Sequence, residues 1–108
     1  MVDRPRVKMP KEGKKGEIIV IKTLIAHAME SGLRKDAAGA LIPRRILNRF
    51  VCSFNGGEVF SCDFEPSVAA NPFLQFSARV EGDGVYTFAW TDDDGTVLTA
   101  EQPMKIVG

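Results

Sequence analysis

A chain of 108 residues that is 44% hydrophobic and 26% charged, with no net charge, is one globular domain over 1–108, long enough to bury a core and too short for two. No run is apolar enough to span a membrane, and Met1-Val2-Asp3-Arg4 does not open a signal peptide, so read alone the start points to the cytoplasm. The zero balance hides twelve Lys/Arg against five Asp/Glu in residues 1–49 and two against nine in residues 50–108. Within one folding unit that division reads as a dipolar surface that complements itself or a partner, and not as a nucleic-acid-binding tail.

Asp3 to Met9, bounded by Pro5 and Pro10, reads as a short polar edge strand. Lys11 to Gly16 reads as a solvated turn. Glu17 to Ala26 is rich in β-branched residues and predicts a strand whose apolar positions fall on both parities, as in a strand covered on both sides. In a small sandwich the second cover can be another protein. From His27 to Arg45 no period holds, Gly32 and Gly39 interrupt and Pro43 closes, so this stretch reads as a long excursion. It contains Met29, Leu33, Leu41 and Ile42, which are expected to lie against something other than water.

Phe50 to Phe64 is the hairpin around which the chain is organised, with Asn55-Gly56-Gly57 between two aromatic-rich arms. A three-residue loop with Gly57 in the left-handed region puts Phe54 opposite Glu58 and Cys52 opposite Phe60, and joins both apolar sets on one face. A two-residue Asn55-Gly56 turn would split those sets, because a one-residue slip inverts every side chain. The three-residue loop is therefore expected, with Cys52 and Cys62 as diagonal, core-facing and unbridged neighbours about 7–8 Å apart.

Glu65 to Pro72 reads as a connection with room for a single helical turn. Phe73 to Val80 alternates, with Leu74, Phe76, Ala78 and Val80 inward. Val85 to Thr91 alternates with Tyr86, Phe88 and Trp90 on one face. Asp92-Asp93-Asp94-Gly95 turns the chain with Gly95 at positive φ, and Thr96 to Val107 supplies the last strand, with a break expected at Pro103. About seven short strands and no helix indicate an all-β, immunoglobulin-like antiparallel sandwich. Gly84-Val85-Tyr86-Thr87-Phe88 has the spacing of a tyrosine corner, with Phe88 where antibody domains place a cysteine.

The residues argue against an enzyme. A metal site of the superoxide-reductase kind, built on a similar sandwich, needs several histidines and a cysteine around iron, and His27 is the one histidine. His27 reads as a hydrogen-bonding or interface residue. Cys52 and Cys62, each set between phenylalanines, lack dithiol spacing, and an apolar setting makes a poor thiolate. The acidic turn lacks the ligand spacing of a calcium loop. No cofactor is expected.

The run Lys22-Thr23-Leu24-Ile25-Ala26-His27-Ala28-Met29-Glu30-Ser31-Gly32-Leu33-Arg34-Lys35-Asp36, followed by Gly39, Ile42-Pro43-Arg44 and Phe50, resembles the SoxZ family of the thiosulfate-oxidising sulfur pathway. Asn55-Gly56, Asn71-Pro72-Phe73 and Trp90-Thr91-Asp92-Asp93-Asp94-Gly95 fit the same pattern, which Ala28 and Cys62 depart from. The resemblance implies a non-catalytic subunit of a heterodimer with SoxY, a sandwich protein that carries the sulfur cargo on a C-terminal, glycine-flanked cysteine. It further implies transient docking on periplasmic Sox enzymes and export to the periplasm together with the partner, whose signal serves both. The chain's own end, Met104-Lys105-Ile106-Val107-Gly108, has no such cysteine.

Two other readings stand beside it: a small thiol redox protein using Cys52 and Cys62, and a stand-alone structural immunoglobulin-like domain. On the first reading the partner is expected to contact the 17–26 strand and the 27–45 excursion, through Ile25, His27, Met29, Leu33, Arg34, Leu41 and Ile42. Such a pair buries roughly 1,200–2,000 Å². Ile25→Asp is expected to dissociate it and Arg34→Ala to slow its association.

Overall fold

The computed structural model describes residues 5–65, 68 and 70–108. They form eight strands: β1 (Arg6–Lys8), β2 (Glu12–Gly13), β3 (Ile18–Leu24), β4 (Leu47–Phe54), β5 (Gly57–Asp63), β6 (Phe73–Arg79), β7 (Gly84–Asp92) and β8 (Val97–Ile106). One sheet has the order β1-β3-β6 and the other β2-β8-β7-β4-β5. The sandwich is all-β, and among the described residues there is no helix. The helical turn expected within Glu65 to Pro72 falls partly on residues 66, 67 and 69, outside the described residues, as do residues 3 and 4 of the first expected strand.

The core forms where the two inner faces meet. From the small sheet come Ile19 and Ile21 of β3 and Phe76 and Ala78 of β6, and from the large sheet Phe50, Cys52, Tyr86, Phe88, Trp90 and Met104, all buried. Phe50 is the hub, with ring centroids 5.1 Å from Trp90, 5.8 Å from Phe76 and 6.3 Å from Phe88. Phe60 stacks on Phe76 at 4.5 Å and ties β5 to the opposite sheet. Such offset and tilted aromatic pairs suit the ring quadrupole and add to the burial itself. The inward sets expected for β6 and β7 are the ones observed. Tyr86 packs its ring against Phe54 at 4.7 Å.

The hairpin departs from its expected loop. Asn55 (φ 49°) and Gly56 (φ 87°) make a two-residue turn, with Phe54 opposite Gly57 and Ser53 opposite Glu58. The face split this turn should cause is undone one step later. The pairing shifts between Cys52 and Ser53, leaving Val59 as an extra residue, so that Cys52 faces Phe60 and Phe50 faces Cys62. A β-bulge adds the single residue that restores parity. The turn is also held from a third strand: the Asn55 side chain accepts from Val85 N at 3.0 Å and donates to Asp83 O at 3.3 Å.

Two smaller differences concern the ends. Within the expected Lys11–Gly16 turn, β2 pairs in parallel with Lys105 and Ile106 of β8. Strand β8 runs unbroken through Pro103, which lies opposite Val85. Because β2 reaches only Lys105 and Ile106, β8 is still an edge at Pro103, where a missing N–H is tolerated.

Candidate functional site

The excursion after β3 is ordered by its backbone. Glu30 and Arg45 exchange two N–H···O bonds of 2.9 and 2.8 Å, Ile42 N donates to Arg34 O, and Asp36 N donates to Ala40 O. These rungs make an irregular two-stranded ribbon that turns at Asp36–Gly39, where Asp36 Oδ1 accepts from Ala38 N and Ala40 N. The ribbon crosses itself closely at Gly32 (φ 84°), where an added Cβ would stand 2.9 Å from Arg44 Cβ. A side chain at that φ would also be strained.

The base of the ribbon is clamped by the acidic turn between β7 and β8. His27 Nε2 lies 2.7 Å from Asp92 Oδ2, with both side chains under a tenth exposed. The other ring nitrogen, Nδ1, accepts from Met29 N at 2.9 Å, so the ring proton sits on Nε2 and is donated to Asp92. Arg45 reaches Asp92 and Asp94 at 3.3 and 3.0 Å. Asp93 accepts from Arg44 at 2.8 Å, from Asn48 at 3.0 Å and from Ile46 N at 3.1 Å. The Arg44 guanidinium first, then Asn48 and Ile46 N, holds the Asp93 carboxyl far below the usual carboxylate range. Bonds from Thr96 lower Asp94 as well. Behind the clamp, His27 and Asn71 exchange backbone and side-chain bonds of 2.7 and 2.9 Å.

This arrangement corrects part of the expected contact set. Ile25 is fully buried in the chain's own core, and Met29, at φ 51°, is buried there too, its sulfur accepting from Leu47 N at 3.3 Å. His27 is consumed by Asp92 and Met29. Ile25 and Met29 offer no surface, and Ile25→Asp would break the core instead of reporting on an interface. Leu33 and Leu41, 82% and 61% exposed, do lie outside on the ribbon, with Ile42 half-buried. Arg34 is exposed and paired with Glu30 at 2.7 Å.

The error at Ile25 has a simple cause. Strand β3 alternates strictly, burying Ile19, Ile21 and Thr23 and turning Ile18, Val20, Lys22 and Leu24 outward, and Ile25 just past its end keeps the buried parity. Both parities are apolar, so composition alone does not say which set faces the core. The partner strand settles it, since β6 pairs with β3 in a register that puts buried Phe76 beside Ile21 and exposed Phe73 beside Leu24.

The two cysteines are free. Burial pushes the Cys52 thiol up to about 12. Burial, and then Asp63, raises Cys62, while Arg49 opposes them. Neither is poised to be a thiolate near neutral pH. Among the described residues no group of three His, Cys, Asp or Glu side chains converges as a metal-ligand set.

Compared with known families, residues 7–103 match the model of "Sulphur oxidation protein SoxZ". The chain belongs to the SoxZ family. Membership makes it a sulfur-oxidation subunit of the Sox system. No curated protein sequence matches the chain significantly. Solved structures share the fold at low identity. The superoxide reductase (neelaredoxin) of Ignicoccus hospitalis superposes with a TM-score of 0.72 at 16% identity, covering 96% of this chain and 80% of that one. The sulfur carrier protein SoxY of Chlorobium limicola f thiosulfatophilum does so with 0.67 at 11%, covering 97% and 80%. A CARDB domain from Pyrococcus furiosus, in complex with di-metal ions, follows with 0.53 at 11%, covering 98% and 94%. At such identities these likenesses carry the immunoglobulin-like fold and no activity.

Proposed function

We propose that this chain is the non-catalytic half of a heterodimeric sulfur carrier in periplasmic thiosulfate oxidation, supporting a SoxY-like subunit that bears the cargo cysteine. The observation that carries the reading beyond family membership is the state of the thiols. A sulfur carrier needs an accessible thiolate, and here Cys52 is wholly buried while burial raises Cys62. The cargo therefore belongs on another chain, and this one contributes shape and contact surface. The ribbon carrying Leu33, Arg34, Leu41 and Ile42 is the natural element to meet Sox enzymes that the pair visits, or the partner itself, because it projects apolar side chains that the domain does not cover.

The test is co-expression with a SoxY-like chain in a thiosulfate-oxidising host, followed by light scattering and intact-mass analysis of each subunit. A one-to-one complex is expected, recovered from the periplasmic fraction, with sulfur adducts on the partner alone. An adduct on Cys52 or Cys62 would overturn the reading in favour of a thiol enzyme.

A further inference from the structure

The outer face of the β1-β3-β6 sheet is built wrongly for water. Ile18, Val20, Leu24 and Phe73 are between 40% and 57% exposed along it. Two shallow clefts indent this region, about 390 Å³ beside Met9, Pro10 and Val20 and about 230 Å³ beside Leu24 and Phe73, and Lys8 and Lys22 line both. Lys8 and Lys22 are direct cross-strand partners on the same face, where like charges repel. Among the described residues no acid relieves them: Lys22 is opposite Gln75 on its other side, and neither lysine has an ion pair. The outward positions around them add Arg6 and Arg79 and no Asp or Glu.

We infer that this face is the seat of the partner subunit, and that the partner presents large apolar side chains to the two clefts with a carboxylate between Lys8 and Lys22. The inference rests on the carrier reading above and adds the face and the chemistry that recognises it. A second copy of this chain is a poor occupant, because its equivalent face brings the same uncompensated cations. A small anion would answer the lysines but leave the apolar rows in water. An acidic, apolar protein surface answers both, and its carboxylate removes a repulsion that the free chain has to tolerate.

The experiment uses the full chain and a co-expressed SoxY-like subunit, with affinity read by titration calorimetry and each variant's fold by thermal melting. Val20→Asp and Lys22→Glu are expected to weaken the complex at least 100-fold. Val97→Asp, exposed on β8 of the other sheet, is expected to change it less than threefold. Lys22→Glu has a second signature. Opposite Lys8 it replaces a repulsion by an attraction, so the free chain should melt higher by about 1–5 °C while it binds worse. A fold defect would lower both. If the wild-type chains do not associate, the carrier reading itself falls. If they associate but Val97→Asp breaks the complex and Val20→Asp does not, the reading stands and the face is wrong.

Discussion

Removing the carboxylate of Asp92 tests whether the clamp at the base of the ribbon holds the fold as well as the loop. Asp92 is 3% exposed and accepts from His27 at 2.7 Å, from Asp94 N at 3.1 Å and from Arg45 at 3.3 Å. A buried hydrogen bond to a charged group contributes about 1.5–3 kcal/mol, and an N–H left unpaired costs about 1–3 kcal/mol. Asp92→Asn keeps the shape, removes the charge and turns an amide toward the His27 N–H. It should therefore destabilise by about 2–4 kcal/mol, a fall in Tm of roughly 10–25 °C for a domain of this size. His27→Phe removes the same bond from the other side. The double variant should then recover a coupling of about 1.5–3 kcal/mol. Urea unfolding followed by Trp90 fluorescence is the assay, since the single tryptophan is buried two residues from Asp92. A coupling below about 0.5 kcal/mol, within ordinary additivity, would refute the dyad as a structural unit.

Other expectations follow from the same geometry. Nitrogen NMR of the one histidine should show the ring proton on Nε2, and a proton on Nδ1 would contradict its bond from Met29 N. Gly32→Ala should destabilise by about 1–3 kcal/mol and speed hydrogen exchange in the ribbon, because it adds a Cβ at positive φ against Arg44. Cys52 keeps its proton in the folded state up to about pH 12 and loses it near pH 9 once unfolded. The folded state thus holds more protons between those values, and stability present below pH 9 falls by up to about 1.4 kcal/mol per pH unit above it. Cys52→Ala should flatten that slope in alkaline urea titrations; an unchanged slope would assign it to other groups. Asp93 runs the other way: its depressed carboxyl stabilises above the ordinary carboxylate range, and that stabilisation drains as pH falls below it. Asp93→Asn should melt lower near neutral pH and show a shallower acid dependence than the wild type.

The strands were legible wherever hydrophobicity alternated on one parity. In β6 and β7 the polar set names the solvent side, so Phe76, Ala78, Phe88 and Trp90 could be placed inward from spacing alone. Strand β3 defeats that method, being apolar on both sets, and only its register with β6, which sets buried Phe76 beside Ile21 and exposed Phe73 beside Leu24, tells the two sets apart. The hairpin loop was misread because local logic tied the turn length to the register, whereas the bulge at Val59 uncouples them. The ribbon was recognised as needing cover, but not what covers it. Its clamp joins Arg44 to Asp93 across 49 positions and His27 to Asp92 across 65, and no local period carries such pairs. The opposite charges of the two halves were the available signal, and Arg44, Arg45 and Arg49 bonded to acids of the C-terminal half are part of its meaning.

The likeness to superoxide reductases and to a sulfur carrier sets different chemistries on one scaffold and carries none of them to this chain. A metal centre on a sandwich needs several imidazoles free to turn toward one point. This chain has one, and both of its nitrogens are already engaged, one with Asp92 and one with Met29 N. A carrier or redox site needs a thiolate in reach of solvent, and burial raises both thiols here. The imidazole of His27 and the buried thiol of Cys52 are thus turned to holding the domain together. What faces outward instead is a strand with isoleucine, valine and leucine on its solvent parity and two lysines set against each other. Neither feature stabilises the free chain: the apolar row gains nothing from water, and the lysine pair repels. A sequence specifies its own fold best when each position agrees with it, and a coherent patch of disagreeing positions is what the proposed partner face accounts for.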